Sequence, residues 1–414
     1  MLPVVLRIAT RFQFVQLAIV TETFPPEVNG VAMTLGRLAQ GLGAVGHTVT
    51  VWHPRRDDLP RRPPSAAFRE IAVTGVPIPG YPQLRLGLPA PLALRRRWRA
   101  ERPDLVHVVT EGPLGASAIN AARSLGIPVT SSFHTNFHAY TGHYRIGGFR
   151  QLALWWLRRV HNRTQRTFAP TAELCAELRR FGFANLHVLS RGVDLQNFSP
   201  ARRSTELRSW WGVQSDTPVV LHVGRMAAEK NYTLLFQAYA AMRAANPRLR
   251  FVLAGEGPLQ ARLRREHPEH VFAGFFSRED IGRYYASADL YIHASLTETF
   301  GNVLTEAMAS GLPVAGFDYA AARQFVRHGV NGLTAPCDNP DALIGAAVTL
   351  ATDADLRRRL GAAARASLRD QSWDQVIARF EADLHAVIAE DRVLRQAPPS
   401  TAPAQITRAR PAAK

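Results

Sequence analysis

Apolar residues in this chain fall in short runs divided by polar turns, with helix-period stretches between them. Gln16-Leu-Ala-Ile-Val-Thr-Glu22 is one such run, and it opens into a Pro- and Gly-rich loop, Phe24-Pro-Pro-Glu-Val-Asn-Gly30. From Val31 to Leu42 the apolar spacing turns helical, and His47-Thr-Val-Thr-Val-Trp52 predicts the next strand. Leu105-Val-His-Val-Val109, Pro128-Val-Thr-Ser-Ser132 and His187-Val-Leu-Ser190 continue the alternation. Strands alternating with helices predict a parallel sheet covered on both faces.

Near Arg191-Gly-Val-Asp-Leu-Gln-Asn-Phe-Ser-Pro200 the rhythm breaks. It restarts with Pro218-Val-Val-Leu-His-Val223, Arg250-Phe-Val-Leu-Ala254, Val271-Phe-Ala273, Asp289-Leu-Tyr-Ile-His293 and Pro313-Val-Ala-Gly316. The expected fold class is therefore α/β: two doubly wound, Rossmann-like domains, 16–198 and 199–371. Such sheets bind ligands at the carboxyl ends of their strands, so a cleft is expected between the halves. Residues 1–15 form an extension. A helix over 372–392 is expected to return to the first domain, and 393–414, rich in Ala and Pro, reads as a disordered tail.

Composition narrows this picture. The 414 residues, 46% hydrophobic, suffice for two or three cored domains and exclude an intrinsically disordered chain. Cys175 and Cys337 cannot build a disulfide framework or a zinc site. No apolar run reaches the ~18–20 residues of a membrane-spanning helix. The two cysteines fit a reducing, cytoplasmic setting, and the arginine-interrupted start does not read as a signal peptide.

The net charge of +17 implies attraction to nucleic acid, an acidic membrane or phosphorylated substrates. The basic residues are spread along the chain with no recognisable nucleic-acid motif, so a nucleic-acid-binding protein is only the remote alternative. Of the 50 basic residues only Lys230 and Lys414 are lysines. In a chain that otherwise uses arginine, an internal lysine needs a local reason. Gly41-Leu-Gly-Ala-Val-Gly46 matches a dinucleotide fingerprint, but the helix precedes it and the strand follows. The fingerprint needs the reverse order, so these glycines read as a helix end and turn.

The most informative stretch is Ser295-Leu-Thr-Glu298-Thr-Phe-Gly-Asn302-Val-Leu-Thr-Glu306-Ala-Met-Ala-Ser-Gly311, directly after a predicted strand. A loop that ends at a helix N-terminus offers free N–H groups and a positive dipole end, a natural phosphate site. Glu298 precedes that terminus and Glu306 lies one turn inside it, so two carboxylates flank a diphosphate. That is the pattern a sugar nucleotide requires. Gly224-Arg225-Met-Ala-Ala-Glu229-Lys230 follows the strand 219–223, and its two cations suit a leaving diphosphate without a metal.

Together with Gly255-Glu-Gly-Pro258, these segments make the chain similar to glycosyltransferase family 4, retaining enzymes of GT-B fold. The likeness extends to Glu27-Val-Asn-Gly-Val31, Gly46-His-Thr-Val49, His134-Thr-Asn136 and Arg191-Gly-Val-Asp194, covering residues 16 to 390. Within the family the chain most resembles bacterial GDP-mannose-dependent α-mannosyltransferases and their lipid-glycosylating relatives.

The resemblance implies these roles. Glu298 holds donor-hexose hydroxyls and Glu306 the ribose. Arg225 and Lys230 bind the diphosphate, helped by N–H groups around Phe300, Gly301, Asn302 and Val303. Gly30 approaches the phosphates, and His134 stands at the anomeric carbon, with His138 and His143 as alternatives. The base rests against Ala273, Gly274 and Phe275, beside Gly255 and Gly257. Same-face attack without metal or cofactor is implied, with GDP-mannose as donor; a UDP-hexose and a glycolipid product are the alternative. The acceptor is a lipid or glycan. Two departures from the family pattern are Asp318-Tyr-Ala-Ala-Ala-Arg-Gln324, where relatives carry a glycine pair, and the single Gly30.

Arg95-Arg-Arg-Trp-Arg99 follows Leu84, Leu86, Leu88 and Leu92, and Trp155-Trp156 adjoins Arg158, Arg159, Arg163 and Arg166. Both patches suit either an anionic bilayer surface or helices with one buried and one solvated face.

Overall fold

The computed structural model describes residues 13–396 apart from 28, 57, 59–62, 79–80, 135–146, 275–276, 296 and 299. The first domain carries strands β1 (Gln16–Val20), β2 (Thr48–Pro54) and β3 (Phe68–Val73), then a hairpin of β4 (Gly75–Ile78) and β5 (Tyr81–Gly87). It continues with β6 (Leu105–Val108), β7 (Val129–Ser132), β8 (Arg166–Ala169) and β9 (Leu186–Val188). All but the hairpin form one sheet in the order β3-β2-β1-β6-β7-β8-β9. Every pairing in it is parallel.

The second domain carries β10 (Val219–Val223), β11 (Arg250–Ala254), β12 (Val271–Gly274), β13 (Leu290–His293), β14 (Val314–Phe317) and β15 (Leu333–Ala335). Their order is β12-β11-β10-β13-β14-β15, again all parallel. The central strands β10, β13 and β14 are buried along their length, because helices cover both faces of a parallel sheet, while the edge strand β12 is half-buried.

In each sheet the strand order reverses at its first strand, β1 or β10. A crevice opens there, at the carboxyl ends. Glu22 follows β1 and the segment Gly224–Lys230 follows β10, so both switch points supply residues with chemistry.

The helix Trp373–Gln396 lays Ile377, Phe380, Leu384 and Val387 against Leu17, Ile19 and Leu35 of the first domain. Gly41 makes room for it, since a Cβ there would lie 2.1 Å from Ile377. Arg166 pins the helix from the side, 2.6 Å from Asp383. The helix runs past 392, so 393–396 are helical rather than tail; the rest of the expected tail lies outside the described residues.

Gly41 and Gly43 lie inside the helix Gly30–Ala44, and Gly46, at φ +108°, turns the chain into β2. The dinucleotide match therefore has no phosphate-binding geometry. Strand β3 and the hairpin were not foreseen. β3 is an edge strand with mostly exposed or half-buried positions, so its residues carry little apolar periodicity.

For the Arg95–Arg99 patch the structure decides between the two readings in favour of a buried aromatic face. Trp98 sits 2% exposed in the core, its ring 6.2 Å from Trp52 in an edge-to-face pair. In the helix Pro91–Ala100 the buried face is Leu94 and Trp98, while Leu92 stays 79% exposed. Trp98 cannot belong to a surface patch. Among the described residues no helix is long and apolar enough to cross a membrane.

Candidate functional site

A cleft of about 890 Å³ separates the two domains. Gly30, His134 and Arg191 line it from the first domain, and Glu298, Phe300 and Asn302 from the second.

At the carboxyl ends of three neighbouring strands of the second sheet, β10, β11 and β12, the loops pack closely. A Cβ on Gly255 would lie 2.0 Å from the Gly224 carbonyl oxygen, and one on Gly257 2.4 Å from that of Met226. Backbone therefore packs directly on backbone, and the Gly255 N–H donates to the Gly274 oxygen at 2.7 Å. Gly255 and Gly274 adopt φ +132° and +84°, which disfavours any side chain. The structure thus clusters Gly255, Gly257, Ala273 and Gly274. Phe275 lies outside the described residues, as do Asn136, His138 and His143.

Glu298 is the electrostatic centre. Its carboxylate accepts a hydrogen bond from the Lys230 ammonium, and His293 Nε2 lies 3.6 Å away. Burial pushes the Glu298 carboxyl up, but its neighbours, His293 and Lys230 foremost, hold it below its ordinary value. Burial also brings His293 down to about 4, against the pull of Glu298. At neutral pH that ring is uncharged, so Lys230 carries the carboxylate, while the Ser295 hydroxyl donates to the Glu229 carbonyl at 3.2 Å. The Tyr319 hydroxyl donates to the Glu298 carbonyl at 2.7 Å and fixes its backbone.

Immediately beyond, the helix Asn302–Ala309 starts at Gly301, whose φ of +93° turns the chain, and no side chain caps it. Its first-turn N–H groups face the cleft with the positive end of the helix dipole. Phe300 is 1% exposed, so its ring anchors the loop in the core and leaves only its backbone open to the cleft. Val303 packs half-buried against the same core.

Arg191 is the residue whose role the sequence did not reveal. Its side chain donates to Asn302 Oδ1 at 3.4 Å and lies 5.6 Å over the Phe300 ring. A Cβ on Gly30 would come within 3.0 Å of its Nη1, which is one reason a glycine stands there. Burial lowers its pKa to about 10, partly opposed by Glu298. Its Nε is buried with no hydrogen-bond partner. A buried cation facing a cleft without a carboxylate hydrogen bond is poised for an anion. Its segment, Arg191-Gly-Val-Asp194, carries part of the family likeness, but it lies where the α/β rhythm breaks and nothing local assigned the side chain a role.

The Gly30 loop is held by Asn29, which caps the helix Gly30–Ala44 by accepting from Val31 and Ala32 N–H at 3.1 and 2.9 Å. Asn29 also donates to Thr23 at 2.7 Å, and Thr23 donates to Glu27 at 2.5 Å. The Glu-Val-Asn-Gly motif is thus a self-bonded loop that presents Gly30 to the cleft.

His134 reaches the cleft just past β7. Burial, reinforced by Arg191, His107 and His161, holds it well below the usual histidine range, so the ring is neutral. Its Nδ1 is buried with no hydrogen-bond partner. Glu306 accepts from the Tyr285 hydroxyl at 3.1 Å. Both Glu298 and Glu306 help hold Tyr291 far above its ordinary pKa, after the larger effect of burial, which places both carboxylates around one ring.

Arg225 departs from the expected cluster. It is 67% exposed, its Nε 3.6 Å from Glu229, while Lys230 turns inward to Glu298. Glu22, Arg85 and Glu111 complete the first-domain side of the cleft and were not singled out from sequence; Trp156, singled out only as part of a basic surface patch, lines the cleft as well.

Away from the cleft, His47, Glu381 and His385 group closely enough to raise the question of a metal. His47 Nδ1 accepts from the Val15 N–H at 3.1 Å, so the neutral ring carries its proton on Nε2, facing Glu381 at 3.1 Å. That geometry ties the last helix to β1.

Residues 28–197 match the family described as Glycosyltransferase Family 4, and residues 204–367 match Glycosyl transferases group 1. A GDP-mannose-dependent alpha-mannosyltransferase of Mycolicibacterium smegmatis is 35% identical over 89% of this chain and 98% of its own length. The alpha-monoglucosyldiacylglycerol synthase of Acholeplasma laidlawii is 27% identical over 77% of this chain and 84% of its own. Anabaena Alr3699/HepE, solved in complex with UDP, superposes with a TM-score of 0.72 at 20% identity, over 90% of this chain and 100% of that one.

Proposed function

Since the chain belongs to glycosyltransferase family 4 and is a glycosyltransferase, we propose that it transfers mannose from GDP-mannose, with retention, to a lipid-linked or glycan acceptor. The donor assignment is supported by the mycobacterial relative, which matches almost end to end. The observation that carries the site is the Lys230–Glu298 pair beside the uncapped helix at Asn302.

In this reading Glu298 accepts hydroxyl hydrogens of the donor hexose. Lys230 has three donors and gives one to Glu298, leaving two for phosphate oxygens. Arg191 and the first-turn N–H groups of Asn302–Ala309 add positive charge from the other side. As the C1–O bond to phosphate breaks, its electron pair passes to the diphosphate. The acceptor oxygen bonds to C1 on the same face and gives its proton to that phosphate. Lys230 and Arg191 neutralise the departing charge, so the reading assigns no step to a metal. His134, neutral, can hydrogen-bond the sugar without repelling the positive charge that grows at C1.

The second reading keeps the chemistry with a UDP-hexose, supported by the glycolipid synthase relative. A thermal-shift series with GDP, UDP and their hexose derivatives separates the two. Stabilisation by GDP is expected, and Lys230→Ala should abolish it. A mutant that shifts as the wild type does would overturn the site.

Peripheral binding at an anionic membrane is part of the proposal. The helix Gly147–His161 exposes Leu152 and Trp155 at 59% and 47%, next to Arg158 and Arg159. Flotation with anionic but not neutral vesicles is expected; binding to neither would remove this element.

A further inference from the structure

We propose that Glu22 is an acceptor-binding residue: its carboxylate receives hydrogen bonds from hydroxyls of a sugar or cyclitol headgroup on the acceptor. The inference rests on the glycosyltransferase reading above and deepens it by naming the acceptor's chemistry.

Glu22 stands at the switch point of the first sheet and lines the same cleft as Glu298. Its surroundings are built for a carboxylate. Its own N–H donates to Thr110 Oγ1 at 2.7 Å. The Gly87 N–H donates to Oε2, and the Leu114 N–H to Oε1 at 3.3 Å. Cβ atoms on Gly87 and Gly112 would lie 2.8 and 2.2 Å from the two carboxylate oxygens. Two glycines from different segments therefore leave the room that this group occupies.

The pairing is unusual. Glu298 has Lys230, and Glu27 has Arg56 at 2.5 Å, but among the described residues Glu22 has no ion-pair partner. An ionised carboxylate offers about four lone-pair directions, of which backbone amides take two. Burial raises its pKa to about 7, the Gly87, Leu114 and Gly115 amides lower it, and Glu111 raises it further. The other charged groups around the cleft are Arg85 on β5, and Arg191 and Glu298 further along. A purely structural carboxylate would more often have a cation beside it.

Hydroxyl donors satisfy such a group, and the neighbouring side chains suit a ring that carries several. Trp156 is 40% exposed and held by its indole N–H, which donates to the Glu111 carbonyl at 3.1 Å. Its apolar face is free to cover the C–H face of a sugar. Thr110, Glu111 and Arg85 supply further polar contacts. A bare diacylglycerol presents one hydroxyl, too few for this set.

The test titrates octyl α-mannoside into the full chain, following tryptophan fluorescence at pH 5.5 and 7.5 with GDP present. Dioleoylglycerol vesicles serve as the sugar-free comparison. Binding about tenfold tighter at pH 7.5 is expected for the wild type, because only the ionised form accepts from two hydroxyls. Glu22→Gln should weaken binding about tenfold at pH 7.5 and remove the pH dependence. Glu22→Asp should weaken binding yet keep it. An unchanged thermal shift with GDP shows that the variants are folded. Wild-type affinity and pH dependence in Glu22→Gln, or tighter binding of the sugar-free lipid, would overturn the proposal. Failure of the donor reading shows separately, as normal glycoside binding without transfer from GDP-mannose.

Discussion

Lys230 and Glu298 form an ion pair that joins the loop after β10 to the loop after β13, with both side chains largely withdrawn from water. The lysine is the chain's one internal lysine and the glutamate opens the Glu-x7-Glu stretch. Two segments 68 residues apart thus meet at the switch point of the second sheet.

Lys230→Arg tests why lysine survives here. A planar guanidinium cannot place a compact charge between carboxylate and phosphate. The variant should fold, keep its net charge and lose about 100-fold in kcat/KM for the nucleotide-sugar. Steady-state kinetics with varied donor reads this directly.

Arg191→Met should separate function from stability. Methionine keeps apolar packing on Phe300 and removes a buried cation whose desolvation is poorly repaid. Donor KM is expected to rise about tenfold or more, while Tm stays level or increases. A lower Tm with unchanged kinetics would refute it.

Ala320 adopts φ +51° and ψ −122°, a conformation that costs an alanine energy and suits glycine. It lies in the segment where the chain departs from the glycine pair of its family. Ala320→Gly should therefore raise stability by about 1 kcal/mol, the relieved strain exceeding the added chain entropy. Urea unfolding at equilibrium measures it.

Acid should destabilise the fold before its carboxylates protonate. Burial holds His107, His161 and His222 at about 3 and His293 at about 4, so these rings fold uncharged. Unfolded, they take up protons near pH 6.5, so stability falls as pH drops from 6.5 toward 4. Each histidine adds up to about 1.4 kcal/mol per pH unit. Glu22 acts with opposite sign: its folded pKa is raised to about 7, so its contribution is lost as pH rises through 7. Four groups outweigh one. The urea midpoint should fall from pH 6.5 to 4.5, and His107→Gln should flatten that slope whatever it does to the midpoint itself.

Much of this molecule could be read from residue order. Parallel strands buried on both faces are continuous apolar runs, and β1, β10, β11 and β13 announced themselves that way. The exposed edge strand β3 lacks such a run and stayed silent. Trp98 shows the other limit. An aromatic among four arginines reads equally as surface or core, and only its edge-to-face pairing with Trp52 decides for the core.

By itself the sequence determined two Rossmann-like sheets, a family and the loop and helix start at Gly301, because each depends on short-range periodicity or contiguous motifs. Tertiary structure alone decided the electrostatics. It turned Lys230 inward and Arg225 outward, although both follow the same strand. It buried Arg191 against Phe300 and seated Glu22 between Gly87 and Gly112. Whether a charge is paired, desolvated or free depends on what the other domain and neighbouring strand ends bring within a few ångströms, and linear spacing does not encode that distance.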